Sequence, residues 1–335
     1  ATIRRQRQMC IRDRLNTSGY DLITDVNDDD PKVAVITFSE PYAPWPDLFG
    51  GTTEYLLPAH AFADTDISDE WNEEITISGG PWISESWSQD QHILVPNTMY
   101  WDADRLPEAD RVVMIPRQDT DSEVVALQTG EAMAAFPQPF PGAKDRLVGD
   151  LTFIGGGGTF MEGLWINQNA PDRNFDVDTA VRQAVIWALD RQEIADVALG
   201  SIIDSPEVLQ CAGWNPSFGD WCNSDDFSGY TQDLDKVAEV LTEAGWTRPD
   251  PEGLWVNADG EELVLQWNTV AGNKRREDVQ ALVVEMTAPA GIGWEIINYD
   301  AGELFQNRLP VMNFGPVALF ANSTSPDPSV VSLYD

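Results

Sequence analysis

Histidine, cysteine and lysine are scarce in this 335-residue chain, with two, three and four copies. The two histidines, His60 and His92, lie in separate segments, each without an HxxxH or HxH partner, so neither begins a zinc or nickel site. No G-x-S-x-G elbow is present. Gly155-Gly156-Gly157-Gly158 runs into Thr159-Phe160, not into the Gly-Lys-Ser/Thr that a phosphate-cradling loop needs. No run approaches the roughly eighteen apolar residues of a membrane-spanning helix. Bases are few as well: 20 Lys and Arg face 56 Asp and Glu, a formal net charge of −36. Such a surface repels nucleic-acid phosphates and anionic membranes. It suits a salt-rich medium, where screening shortens the range of self-repulsion. With carboxylates this numerous, no pair singles itself out as a general acid and base. These absences leave no catalytic constellation, no metal site and no nucleic-acid partner to expect. A binding protein needs none of these.

The first fourteen residues stand apart. Arg4, Arg5, Arg7, Arg12 and Arg14 place five of the twenty bases in one short stretch without a core. Met9-Cys10-Ile11-Arg12-Asp13 reads like a translated sequencing adapter. Residues 1–14 are therefore set aside from the fold as a sequencing or assembly artefact; a basic arm and a transit peptide are the rival readings. The other cysteines, Cys211 and Cys222, bound the stretch CAGWNPSFGDWC, with no histidine near to complete a zinc site. Two readings stay open for them. A disulfide, the preferred one, is worth roughly 2–3 kcal/mol through loop entropy and implies an oxidising compartment. The other is a pair of buried thiols.

Length allows two or more domains with cores of their own. Val33–Phe38 is expected as a strand, reached through an acidic turn at Asp28-Asp29-Asp30-Pro31. Asp25, Asn27 and Asp29 do not make an EF-hand loop, because Asp30 and Ile36 stand where glycine and glutamate are required. Residues 92–95 and 111–115 read as further strands and 121–127 as a short helix. Residues 160–200 hold the clearest pattern. Leu164, Trp165 and Ile166 make a short apolar strand, broken by Asn167-Gln168-Asn169-Ala170-Pro171. One long helix is expected next, capped by Asp176 or Asp178 and closed at Gly200. Val181, Ala184, Val185, Ala188, Leu189, Ala195 and Ala198 recur along it at three- and four-residue steps. Residues 234–244 and 275–286 are amphipathic helices, and a hairpin is expected around Asp259-Gly260. Trp187 and Trp267, at periodic positions, are expected in the core; Trp45, Trp82, Trp214 and Trp221 are expected in loops.

Several of these passages resemble family 5 extracellular solute-binding proteins, the peptide-, nickel- and oligosaccharide-binding components of ABC importers. They include Leu-Trp-Ile-Asn at 164–167, Val181-Arg182-Gln183-Ala184, and Ala188-Leu189-Asp190-Arg191. Others are Ser39-Glu40-Pro41-Tyr42-Ala43-Pro44, Leu127-Gln128-Thr129-Gly130-Glu131, Gly245-Trp246 and Ser325-Pro326-Asp327-Pro328. They occur in the family's order from about residue 20 onward.

The resemblance implies an α/β, two-lobed periplasmic-binding-protein type II fold of the class C cluster, truncated at both ends. It assigns 15–78 to the end of a small middle domain, 79–157 to part of lobe one and 158–335 to lobe two, with Gly155–Gly158 as flexible glycines at a crossing. It implies a non-enzymatic receptor, extracytoplasmic (periplasmic or cell-surface anchored as a lipoprotein), monomeric, that hands its solute to the transmembrane subunits of a permease. Thr159, Phe160 and Glu162 would line the pocket from one crossing, and Asn322, Ser323 and Thr324 from the other. In the family's peptide-binding members an aspartate four residues before the proline of the DP motif pairs with the ligand's amino group; counted back from Pro328, that position is Thr324. Glu162 is either a replacement carboxylate or a solvated strand residue. The solute is expected to be an oligopeptide or dipeptide. An uncharged oligosaccharide is the alternative, and a secreted hydrolase is the third reading.

Overall fold

The computed structural model describes residues 19–50, 58–62, 77–117, 119–138, 142–147, 149–155, 158, 160–168, 170, 179–203, 205–209 and 225–323. Contacts divide the chain into two compact units, one of residues up to Arg117 and one over Gln118–Thr324. Of the glycines expected at a crossing, Gly156 and Gly157 lie outside the described residues.

In the first unit β1 (Ile23–Asp30) pairs antiparallel with β2 (Val33–Phe38). Ile23 and Val26 are buried with Tyr20 and Leu48, and the Tyr20 hydroxyl donates to the Leu48 carbonyl at 2.6 Å. The acidic triplet Asp28–Asp30 is thus the end of a strand, and the turn falls at Pro31-Lys32. Only Ile23 and Val26 of β1 face a core, so its composition hides it. A second sheet holds β3 (Trp82–Trp87), β4 (His92–Pro96) and β5 (Val112–Met114), antiparallel in chain order. Trp82 opens β3 instead of lying in a loop. His92 touches Ser84 Oγ at 3.0 Å through Nε2, with its ring 4.6 Å from Trp87.

The second unit is built on a four-stranded sheet in the order β6-β9-β7-β8: β6 (Phe160–Ile166), β9 (Val317–Ser323), β7 (Val264–Asn268) and β8 (Gly293–Ile296). Four helices share its core: Thr179–Ala188, Arg191–Leu199, Leu234–Glu243 and Lys274–Thr287. Val181, Ala184, Val237, Leu241 and Val283 meet Leu265, Trp267, Val317 and Leu319 there. Burying each large apolar side chain contributes about 1.5–3 kcal/mol. Trp187 is half-buried against the same core.

Asp176 and Asp178, the expected caps, lie outside the described residues, and from Thr179 the one long helix expected to Gly200 is two. The first ends at Ala188. Asp190 then adopts extended geometry, and its carboxylate accepts from Glu193 N at 3.0 Å, starting the next helix as an N-cap. Gly200 comes after it with φ −59°, right-handed and not the left-handed cap expected, though a Cβ there would meet the Asp196 carbonyl. The expected hairpin forms briefly: Gly260 takes φ +85° and Leu263 N donates to Trp255 O at 2.7 Å. From there the chain leaves its partner and enters the sheet as β7.

Candidate functional site

β7 and β8 run parallel to one another, as do β7 and β9, and β6 is antiparallel to β9. The carboxyl ends of three strands and the start of β6 therefore share one end of the sheet. There Phe160 pairs with Ser323, Met161 with Asn322 and Glu162 with Ala321. Side chains alternate along a strand, so Glu162 lies on the face of Leu164 and Ile166, which pack on the helical core. Met161 and Asn322 lie on the other face.

The helix Lys274–Thr287 begins beyond the carboxyl end of β7. Gly272, at φ +79°, turns the chain into it. Asn273 caps it by accepting from Arg276 N at 3.2 Å, and Glu277 Oε1 reaches back to Gly272 N at 2.9 Å. Its first turn carries Lys274, Arg275 and Arg276, the only three consecutive bases in the chain. Lys274 is paired with Asp278. The two arginines turn inward, their side chains 6% and 8% exposed, onto Glu162, which is 27% exposed. Arg276 grips it with two N–H groups, Nε to Oε1 at 2.7 Å and Nη2 to Oε2 at 3.4 Å. Arg275 reaches it with one, Nη2 to Oε2 at 3.0 Å, and its buried Nε has no acceptor among the described residues. Among the described residues Glu162 is the carboxylate partner of both. Two nearly buried cations thus share one anion, an arrangement that only close charge-assisted hydrogen bonds make tolerable.

The opposite face of β6 and β9 is aromatic. Trp165 stacks on Phe320 at 5.3 Å and donates its indole N–H to the Phe320 carbonyl at 3.0 Å; Phe305 meets Phe320 edge-on at 6.1 Å. Phe305 belongs to a π-helical turn, Glu303–Arg308, whose Arg308 lies 4.0 Å over the Tyr299 ring.

Of the residues expected to line a pocket, the sheet brings Phe160, Glu162, Asn322 and Ser323 to one end. Phe160 is 68% exposed. Glu162, expected either as a replacement carboxylate or as a solvated strand residue, is partly exposed and held by the two arginines. Thr159 and Thr324 lie outside the described residues, as do Cys211, Cys222, Trp214 and Trp221. Trp45 is exposed on the first unit. Sequence reasoning overlooked Arg275 and Arg276. The run of three bases in so acidic a chain was the available signal. Among the described residues no cluster of His, Cys, Asp and Glu could hold a metal ion, and no helix is long and apolar enough to cross a membrane.

The oligopeptide-binding protein AppA of Bacillus subtilis (strain 168) is 28% identical over 249 residues, 71% of this chain and 43% of that protein. The structure of AppA in complex with a nonapeptide superposes with a TM-score of 0.75 at 20% identity, covering 98% of this chain and 64% of that one. A periplasmic oligopeptide-binding protein of Thermotoga maritima bound to mannohexaose gives a TM-score of 0.74 at 16% identity, with 99% and 63% covered. These similarities give the second unit's sheet and helices a two-lobed fold to belong to. The chain spans about half the length of the curated relatives it matches. The sequence profile of the bacterial extracellular solute-binding proteins, family 5 Middle, matches residues 8–334, and the chain belongs to that family.

Proposed function

We propose that this chain is part of the solute receptor of an ABC importer, one that captures an oligopeptide outside the cytoplasm and delivers it to the transmembrane subunits of a permease. The observation that carries this reading is the family match over residues 8–334. The similarity to an oligopeptide-binding protein supports the choice of solute. The placement of Phe160, Glu162, Asn322 and Ser323 at the carboxyl end of parallel strands agrees with it, since open α/β sheets bind ligands there. The receptor works as a monomer, and a Cys211–Cys222 disulfide belongs to the same extracytoplasmic reading.

Thr324 favours a second reading, an uncharged oligosaccharide, because threonine offers no ion pair to a peptide's amino group. The similarity to a protein bound to mannohexaose supports that alternative. Thr324→Asp separates the two in titration calorimetry on the complete protein. In a peptide receptor it restores an ion pair and tightens free-amino peptides. In a sugar receptor it buries an unpaired carboxylate and weakens the sugar by about tenfold to a hundredfold. No effect on either class removes Thr324 from the pocket.

A further inference from the structure

We propose that Arg275 and Arg276 form an acid-reading subsite, in which a carboxylate of the solute takes the place beside Glu162 that the charge balance leaves open. The inference rests on the receptor reading above and narrows its solute to one bearing a carboxylate. Among the described residues two guanidinium groups, each more than nine-tenths buried, face one carboxylate, so the described cluster carries one net positive charge. It does so in a chain of net charge −36, where acids are the cheapest counter-charge to supply. The neighbouring acids in the first turns of the same helix are engaged elsewhere: Glu277 with the Gly272 amide and Asp278 with Lys274. Arg276 already uses two N–H groups on Glu162. Arg275 uses one and keeps a buried Nε without an acceptor among the described residues, which is the edge a second carboxylate would take. The positive end of the helix points the same way. Glu162 is the most exposed of the three and lies two residues inside the start of β6, so the solute's acid approaches along it.

The test uses the complete protein and defined probes. Calorimetry compares penta-alanine with its C-terminal amide, and Ala-Ala-Glu-Ala-Ala amide with its glutamine counterpart; the first pair reports a terminal carboxylate and the second a side-chain one. One acid should bind about tenfold to a hundredfold more tightly than its neutral twin. Arg275→Gln should erase that preference, and Arg275→Lys, which keeps charge without the fork, should retain part of it. Peptides that bind with no acid preference, or with one that Arg275→Gln leaves intact, overturn the subsite while the peptide reading stands. If no peptide binds, thermal melting decides with succinate against sodium chloride at equal ionic strength. A rise in Tm specific to succinate and lost in Arg275→Gln keeps the subsite and discards the peptide. No such rise discards both. Circular dichroism of each variant checks that it is folded, and Arg275→Lys carries the comparison if Arg275→Gln is not.

Discussion

Trp267 is fully buried, and its indole N–H meets no acceptor among the described residues. A buried donor left unsatisfied costs about 1–3 kcal/mol. Trp267→Phe removes that donor together with part of the ring's buried area, and the two effects oppose. Urea unfolding should therefore register a change below about 1 kcal/mol, against about 2–5 kcal/mol for Leu265→Ala two positions earlier in β7. Equal losses would show that the indole is paired in solution. Glu123 invites a different test. Burial and then the nearby Asp119 raise its carboxyl above the usual range. A carboxyl raised in the fold contributes stability that is full below its unfolded pKa and lost as pH rises through the folded one. Glu123→Gln should therefore be more stable than the native protein at pH 7, with the gap closing below about pH 4. A gap that widens in acid would reverse the assignment.

The helix Arg191–Leu199 shows how one element can organise the chain beyond its own end. Arg191, its first residue, donates to the carbonyls of Leu209, Phe227 and Tyr230 at 3.2, 2.7 and 3.1 Å, and burial lowers its pKa. Arg191→Met strands those carbonyls but leaves the Asp190 cap intact. Hydrogen exchange should quicken at 205–209 and 225–230 while the helix keeps its protection; equal quickening in both would assign the arginine to the helix itself. The break before this helix was not legible in the sequence. Apolar residues keep their phase from Ala188 to Leu189, and a capping aspartate looks locally like any solvated one. β1 was hidden for a related reason, since two buried residues in eight give no alternation. The helices themselves, and Trp187 and Trp267 in the core, were legible because periodicity reports burial directly. The arginine cluster was legible only as a basic run. Its partner Glu162 is 113 residues from Arg275, so pairing them is a tertiary fact with no local trace.

At the scale of the whole molecule the net charge of −36 dominates. The Debye length shrinks from about 10 Å at 0.1 M salt to about 3 Å at 1 M. Sodium chloride should accordingly raise Tm across that range, and a fall would show that attraction outweighs repulsion on this surface. Alkylation without reduction should label neither Cys211 nor Cys222; labelling of both in the air-oxidised folded protein would remove the disulfide, and with it a reason for the proposed oxidising compartment.

The inner position of β9 also sets a timetable. Trp165 waits for a bonding partner, Phe320, that is translated 155 residues later. Until Val317–Ser323 has left the ribosome, β6 has no neighbour among the described strands and β7 has one side open. The four helices are local and can form as they are made, and β7 can pair with β8, but β6 cannot join them until β9 arrives. A nascent chain stalled at Gly315 should leave residues 160–166 open to protease, and one released past Ser323 should close them in a single step. The unit thus stays pliable through most of its synthesis, and it closes only when its inner strand arrives.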